Sequence, residues 1–555
     1  MATVEELVRR LLPDDPGWLT KRCWPDAPSW PPDLFGVTAA LVERAQCYVN
    51  PRYTSHWTPS CLFDERFRNY VIQVGADWRS LNWGIALPEL RKLWAVLFGC
   101  RNEIVETHPE ERGGKPKPWW DAAITLMAVA DEASRGMGFL PSRERRPLVD
   151  FLIDEMTKMR KGRVSLHLPH SICLAVPPSE ACVQPKTRTA DVGCTLRSLS
   201  HNLALLPQAG AFATRWFPVP GGSPTLKEES PFNLMVVPYP YVLDGTCLRE
   251  SAAPSTSNAR FFETRQTWLP AGSVQRSSDK IAAAIGRLIR QAKRQVNRVH
   301  GVVLPEGSLS APIASSVAKK LAKYDIELFI TGVLDHSNRN SPINAARAVP
   351  YMSRKIPFVA RQSKHHRWRL DKGQILRYSF GDSLNAAGVF WEKIDVSERA
   401  CSFFVFRHGA SLAALICEDL ARTDPAGAVI RSIGPNLVIV LLMDGPQIES
   451  RWPGKYAAVL ADDPGSSVLT LTSLGMVKRS VRPGATEPRE IALWKEPGRN
   501  AEELKLPPGC HALLLTLSIS SEEQFTLDGR SDGGNSVKIS LTGVSQVSDQ
   551  KNVLS

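Results

Sequence analysis

The spacing of apolar residues divides the chain near residue 229. In residues 4–12 the apolar positions recur every three or four residues, which is typical of an amphipathic helix. The same spacing predicts helices over 87–97, 119–133 and 147–161. We therefore predict a mostly α-helical, tryptophan-rich domain of unknown role in residues 1–165.

In two segments the apolar residues show neither sustained helical nor sustained strand periodicity. Residues 166–228 are irregular, and they close on Gly221-Gly222-Ser223-Pro224, residues that favour turns. The last residues, 546–555, are polar. We predict a connector in the first segment and a disordered tail in the second.

From residue 229 to residue 545 apolar strands alternate with amphipathic helices. Such an order predicts an α/β layered fold. The predicted strands are 232–239, 301–304, 326–333, 403–406, 411–416, 436–443, 467–474 and 510–518.

Composition narrows the class of protein. The chain has 555 residues, of which 43% are hydrophobic and 22% are charged, and these are values of an ordinary globular protein. Its sequence contains no apolar run of about 18 residues, so we expect no membrane span. The acidic N-terminus lacks a signal pattern, and the eleven cysteines follow no disulfide spacing. We therefore expect a cytoplasmic protein with reduced thiols.

The net charge of the chain does not identify a binding partner. A net charge of +12 would suit a nucleic-acid partner or an acidic protein partner. A solvated basic surface explains the same charge more simply, because no recognition motif accompanies it.

Three stretches carry candidate chemistry. Cys417 follows the apolar run 411–416, Glu306 follows the strand 301–304, and Lys364 lies in a polar loop. A thiol, a carboxylate and an ammonium that meet at one point form an acyl-transfer site. The ammonium would stabilise an oxyanion, and the backbone N–H of Glu418 would be a second donor.

In this order the three stretches resemble the motifs of the nitrilase superfamily of carbon–nitrogen hydrolases. Leu304-Pro305-Glu306 resembles the Pro-Glu strand end of the family, and Lys364-His365-His366 resembles its Lys-x-His stretch. Leu415-Ile416-Cys417-Glu418-Asp419 resembles its nucleophile motif. The resemblance covers residues 229–545.

The resemblance implies a four-layer αββα sandwich, commonly paired into dimers. It implies hydrolysis of a small amide or nitrile through an acyl-enzyme on Cys417, without a metal or an organic cofactor. His366, Gln374, Asp419 and Trp452 are candidate supporting residues on the same grounds.

The sequence departs from the family at two points. Residues 382–400 look inserted, and Gln374, a neutral residue, is the nearest candidate for a second glutamate of the family. Lys372 is a rival to Lys364 for the role of the cation. Each residue alone also has an ordinary explanation, since an isolated cysteine is commonly a buried small hydrophobe and isolated Glu or Lys residues are commonly solvated.

A different class of function stays open. The chain could be a nitrilase-like effector or binding module of a bacterial antiviral system, associated with a reverse transcriptase or nucleic acid and with little hydrolase activity. Asp462-Asp463 resembles the aspartate pair of reverse transcriptases. Pro464-Gly465 follows this pair and a predicted helix, 455–460, precedes it, so the pair more simply marks a helix end.

Overall fold

The computed structural model describes most of the chain. The described residues are 1–13, 24–48, 65–81, 87–106, 117–137, 171–191, 193–207, 212–219, 231–251, 259–337, 342–350, 359–481 and 487–549. The helix predicted over 147–161 and residues 550–555 of the predicted tail lie outside these ranges.

Helices are concentrated in two parts of the chain. They are α1 (Val4–Leu11), α2 (Pro31–Ala45), α3 (Glu65–Ser80), α4 (Pro88–Gly99), α5 (Pro118–Ala133), α6 (Val274–Ala292), α7 (Ala311–Leu321), α8 (Lys372–Arg377), α9 (Ala428–Ile433), α10 (Trp452–Asp462) and α11 (Leu474–Arg479).

The strands begin before the predicted boundary at residue 229. They are β1 (Cys182–Pro185), β2 (Leu203–Leu206), β3 (Ala213–Pro218), β4 (Phe232–Val236), β5 (Leu248–Ser251), β6 (Arg260–Thr264), β7 (Gly301–Ser310), β8 (Leu328–Asp335), β9 (Ile343–Pro350), β10 (Ala360–Ser363), β11 (Arg369–Leu370), β12 (Phe390–Glu392), β13 (Ala400–Val405), β14 (Ser411–Ile416), β15 (Leu437–Leu442), β16 (Ser467–Thr472), β17 (Glu490–Lys495), β18 (Glu502–Lys505), β19 (Ala512–Glu522) and β20 (Ser536–Val547).

Two sheets of seven strands form the centre of the molecule. One has the order β10-β9-β8-β7-β4-β19-β20 and the other has the order β18-β17-β16-β15-β14-β13-β3. The sheets pack face to face, with β7 against β15 and β9 against β14. Helices α6 and α7 cover the first sheet and α10 covers the second. The fold is therefore the expected αββα sandwich, preceded by a mostly helical region.

The helices predicted over 4–12, 87–97 and 119–133 are confirmed as α1, α4 and α5, whereas α3 has no predicted counterpart. Helix α5 starts at Pro118, because proline suits a first helical turn, and it buries Trp119 completely. Asp131 of this helix forms an ion pair with Arg530, whose guanidinium also pairs with Asp528 at 3.0 Å. The helical region is thus joined to the C-terminal strands by a buried ionic contact.

The predicted connector contributes to the sheets. Strand β3 pairs in parallel with β13, and the ring of Trp216 stacks on Phe403. Burial of these rings explains why this segment forms an edge strand rather than an irregular link. At the other end, β20 extends to Val547, so its pairing with β19 orders the first residues of the predicted tail.

A small third sheet lies beside the sandwich. Its four strands have the order β11-β12-β6-β5, and β12 belongs to the segment 382–400 that looks inserted. A separate apolar cluster, which includes Trp368, Tyr378 and Met476, packs against this sheet. The segment therefore shares this core with residues outside it, and its strand β12 brings Glu392 within hydrogen-bond distance of Lys364.

In the described part of the chain, no helix has the length and apolar character needed to cross a lipid bilayer.

Candidate active site

Glu306, Lys364 and a second glutamate meet between the two large sheets. Lys364 Nζ donates to Glu306 Oε1 at 2.9 Å and to Glu392 Oε2 at 2.7 Å. Asn344 Nδ2 donates to Oε1 of both glutamates, at 2.7 Å and 3.0 Å. All four side chains are buried. The cluster is a closed ionic network rather than a surface salt bridge.

The backbone around Glu306 explains its position. The pairing of β7 with β8 shifts register between Leu304 and Leu309, and Gly307 has a φ of 64°, a conformation that favours glycine. Gly332 on β8 must also be glycine, because a Cβ there would lie 2.5 Å from Glu306 Cα. The irregularity lies at the position from which the Glu306 side chain reaches Lys364 and Asn344.

Cys417 lies where β14 ends, as the sequence predicts. Its φ is 46°, a left-handed conformation that is unfavourable for a residue with a side chain. Burial raises the pKa of its thiol well above the usual value, Glu306 raises the pKa further, and Lys364 lowers it. The structure therefore brings all three predicted residues into one electrostatic unit.

The charges in this unit are coupled. Burial raises the pKa of Glu306 above its ordinary value, while Lys364 lowers it and Glu392 raises it. Burial alone would lower the pKa of Lys364, but Glu306 and Glu392 hold that pKa well above its ordinary value. A carboxyl that takes up a proton easily thus lies beside an ammonium that keeps its charge.

One oxygen of Glu306 stays free. Oε1 is held by Lys364 and Asn344, whereas Oε2 is buried and has no hydrogen-bond partner among the described residues, the Cys417 thiol included. A buried carboxylate oxygen without a partner is rare and costly. Its position suits a group that accepts a proton during a reaction.

Asp419 connects the cysteine turn to the lysine loop. Its buried carboxylate accepts hydrogen bonds from the backbone N–H groups of His365 and His366, each at 3.0 Å, and from His366 Nδ1 at 3.1 Å. These bonds fix the loop that follows Lys364. Asp419 and His366 therefore both help to hold the loop that positions the Lys364 ammonium.

The glutamate that shares the Lys364 ammonium with Glu306 is Glu392. Gln374 lies in the first turn of α8, where it forms a capping box with Asp371. Glu392 ends β12 and also accepts from the backbone N–H of Trp368 at 3.1 Å. The sequence signal for Glu392 is weak, because β12 has only three residues and lies in a segment that looks inserted.

The remaining candidate residues from the sequence have surroundings of their own. Trp452 begins α10 and its ring contacts Tyr456, while the rival cation Lys372 is exposed on α8. The Glu418 side chain pairs with Arg422 at 2.9 Å. Asp463 pairs with Arg197 at 2.7 Å, which gives the aspartate pair a structural role at the end of α10.

Among the described residues, no three His, Cys, Asp or Glu side chains are grouped so that they could hold a metal ion.

The sequence matches no protein-family model and no curated protein.

Solved structures resemble about half of the chain. An amidase of the nitrilase superfamily from Nesterenkonia AN1 is 14% identical, covering 53% of this chain and 93% of the amidase with a TM-score of 0.31. Nit3 of Saccharomyces cerevisiae, of the same superfamily, is 11% identical, with 49% and 85% covered and a TM-score of 0.29. A carbon–nitrogen hydrolase from Helicobacter pylori is 12% identical, with 44% and 75% covered and a TM-score of 0.27. Likenesses this distant say nothing about activity.

Proposed function

We propose that the chain hydrolyses a carbon–nitrogen bond of an amide or nitrile through an acyl-enzyme on Cys417. The observation that carries the proposal is the free, buried Oε2 of Glu306, next to an ammonium and within electrostatic reach of a thiol. A general base needs a free acceptor and a raised pKa, and Glu306 has both.

For an amide, the first half of the reaction forms the acyl-enzyme directly. A nitrile would first give a thioimidate on Cys417, and one water would have to add to it before ammonia leaves and the same thioester remains. Cys417 Sγ attacks the carbonyl carbon while its proton passes to Glu306 Oε2. Glu306 then gives this proton to the leaving nitrogen, the carbon–nitrogen bond breaks, and ammonia or an amine departs. The thiol is neutral at rest because burial raises its pKa, so proton transfer must accompany the attack.

The second half returns the enzyme to its starting state. Water attacks the thioester and gives a proton to Glu306, which passes it to the departing sulfur. A carboxylic acid leaves and the thiol is restored. Glu306 is the base in both halves, whereas the nucleophile is Cys417 in the first half and water in the second.

Lys364 supplies the oxyanion contact. An ammonium has three protons, and within the described residues two of them go to Glu306 and Glu392. The third is free for the developing oxyanion, with the backbone N–H of Glu418 as a second donor. Such donors commonly contribute about 10²–10³ in rate.

The test combines labelling with turnover. The purified full chain is treated with fluoroacetamide, a small and weakly electrophilic amide, and mapped by mass spectrometry. Ammonia release is measured from a panel of small amides and nitriles. We expect an adduct on Cys417 and ammonia release that is lost in Cys417→Ala.

Cys401 provides the matched control. It is as buried as Cys417, and burial likewise raises the pKa of its thiol. It is the second residue of β13, and the charge that shifts its pKa is that of Asp419 rather than that of Glu306 or Lys364. Cys401→Ala should keep labelling and turnover. No adduct on Cys417 together with no ammonia from any compound would contradict the proposal.

A further inference from the structure

Asp444 lies at the same edge of the second sheet as Cys417. Strands β14 and β15 are parallel, with Ile416 opposite Leu441, so both chains leave the sheet side by side. Asp444 follows two residues after β15 ends and is 4% exposed. Its charge is close enough to raise the pKa of the Cys417 thiol.

The contacts of Asp444 are asymmetric. Oδ1 accepts from Arg451 Nη2 at 2.7 Å and from the Tyr378 hydroxyl, whereas Oδ2 is buried and has no hydrogen-bond partner in the part of the chain that the structure describes. The backbone of Asp444 is fixed by Thr472, whose hydroxyl donates to the Asp444 carbonyl at 2.6 Å. The free oxygen is therefore held in place and not left loose by disorder.

The surrounding charge indicates what Oδ2 receives. Arg451 balances the charge of Asp444. Glu306 and Glu392 share one ammonium, that of Lys364, which leaves one uncompensated negative charge when both are ionised. A cationic hydrogen-bond donor would satisfy Oδ2 and reduce this excess, whereas an anionic substrate group would increase it.

We propose that Asp444 determines substrate specificity, its Oδ2 accepting a hydrogen bond from a protonated amine beside the scissile carbonyl of the substrate. The inference rests on the proposed function and names the substrate class, amides with an ammonium group on the neighbouring carbon. The apolar cluster that contains Tyr378 and Met443, the residue before Asp444, would enclose the rest of a small substrate.

The test uses two amides of nearly identical shape. Alaninamide has an ammonium where isobutyramide has a methyl group, so their kcat/KM ratio at pH 7 isolates the charged donor. We expect a ratio of about ten or more for the native chain, because hydrogen bonds between charged groups are the strong ones. Asp444→Asn should bring this ratio close to one, whatever its effect on the turnover of isobutyramide.

Asp462→Asn is the control, because Asp462 is exposed at the end of α10. It should keep the native ratio. The comparison of the two amides on the native chain needs no variant, so a folding defect in Asp444→Asn does not remove the test. An unchanged ratio in Asp444→Asn, or a native preference for isobutyramide, would overturn the inference.

Calorimetric binding to Cys417→Ala separates this inference from the proposed function. If neither amide is hydrolysed but alaninamide binds more tightly, and Asp444→Asn in that background removes the difference, the inference stands and the hydrolase proposal fails. If hydrolysis occurs without any preference for the cationic amide, the hydrolase proposal stands and Asp444 has no such role. Equal binding of both amides and no turnover would refute both.

Discussion

Two buried lysines have opposite surroundings. Lys364 donates to two carboxylates, and its pKa is held well above the usual value. Lys186 donates to the Arg197 carbonyl and to the Ser200 carbonyl and hydroxyl, and burial lowers its pKa to about 7.

The difference shows which lysine can serve in catalysis. Desolvation disfavours the charge of both ammonium groups, and only carboxylates at hydrogen-bond distance offset it. Lys364 keeps its charge and a free proton, so it can stabilise an oxyanion. Lys186 links backbone carbonyls and has the character of a structural group.

Glu306→Gln should have the largest effect. The amide keeps the shape and can still accept from Lys364, but it cannot take the thiol proton. We expect kcat/KM to fall by about 10²–10⁴, with the labelling rate of Cys417 reduced as well. Steady-state kinetics and timed mass spectrometry measure both, and activity within threefold of the native chain would rule out Glu306 as the base.

Lys364→Met should reduce activity by about 10²–10³, because the oxyanion loses a charged donor. It should also lower the free energy of unfolding by about 3–5 kcal/mol, since Glu306 and Glu392 lose their buried cation. Lys186→Met is the matched control, and it should leave kcat/KM within a few-fold. Equal losses of activity in both variants would remove the distinction between the two lysines.

Lys186 should instead make stability depend on pH. Its folded pKa of about 7 lies below the model-compound value of 10.5, so the unfolded chain binds more protons between these values. Its contribution to stability is therefore present above pH 10.5 and is lost as pH falls to about 7, by up to about 1.4 kcal/mol per pH unit. Denaturant unfolding from pH 7 to pH 9.5 should show this slope in the native chain and not in Lys186→Met. Equal slopes of the unfolding free energy against pH in the native chain and in Lys186→Met would contradict this prediction.

The sequence predicted those parts of the site that have local signals. The apolar runs 301–304 and 411–416 predict Glu306 and Cys417 at strand ends. The structure confirms this position for Cys417, whereas β7 continues past Glu306 to Ser310, with a shift of register between Leu304 and Leu309. Asn344 and Glu392 have no local pattern of their own. They reach the site only through pairing between distant segments, which a single sequence does not reveal.

The fold shows the same difference between elements with a local sequence signal and elements formed by pairing of distant segments. Helices α4 and α5 have the predicted period and are confirmed, because amphipathic spacing is a local property. Strand β3 pairs with β13, almost two hundred residues later, so residues 166–228 look irregular in sequence. The dimer, the protein or nucleic-acid partner and the cytoplasmic location stay predictions.

Glu392 should matter less than Glu306, because it holds the ammonium without receiving the proton. Glu392→Gln keeps an acceptor for Lys364 but removes one of the two charges that keep it protonated. We expect a fall in kcat/KM of about tenfold, equivalent to about 1.4 kcal/mol, and labelling of Cys417 should continue. Gln374→Ala is the control, since Gln374 caps α8, and it should leave kcat/KM unchanged. If Gln374→Ala lowered turnover more than Glu392→Gln did, the prediction would be wrong. Gln374, and not Glu392, would then be the residue whose loss matters to the reaction.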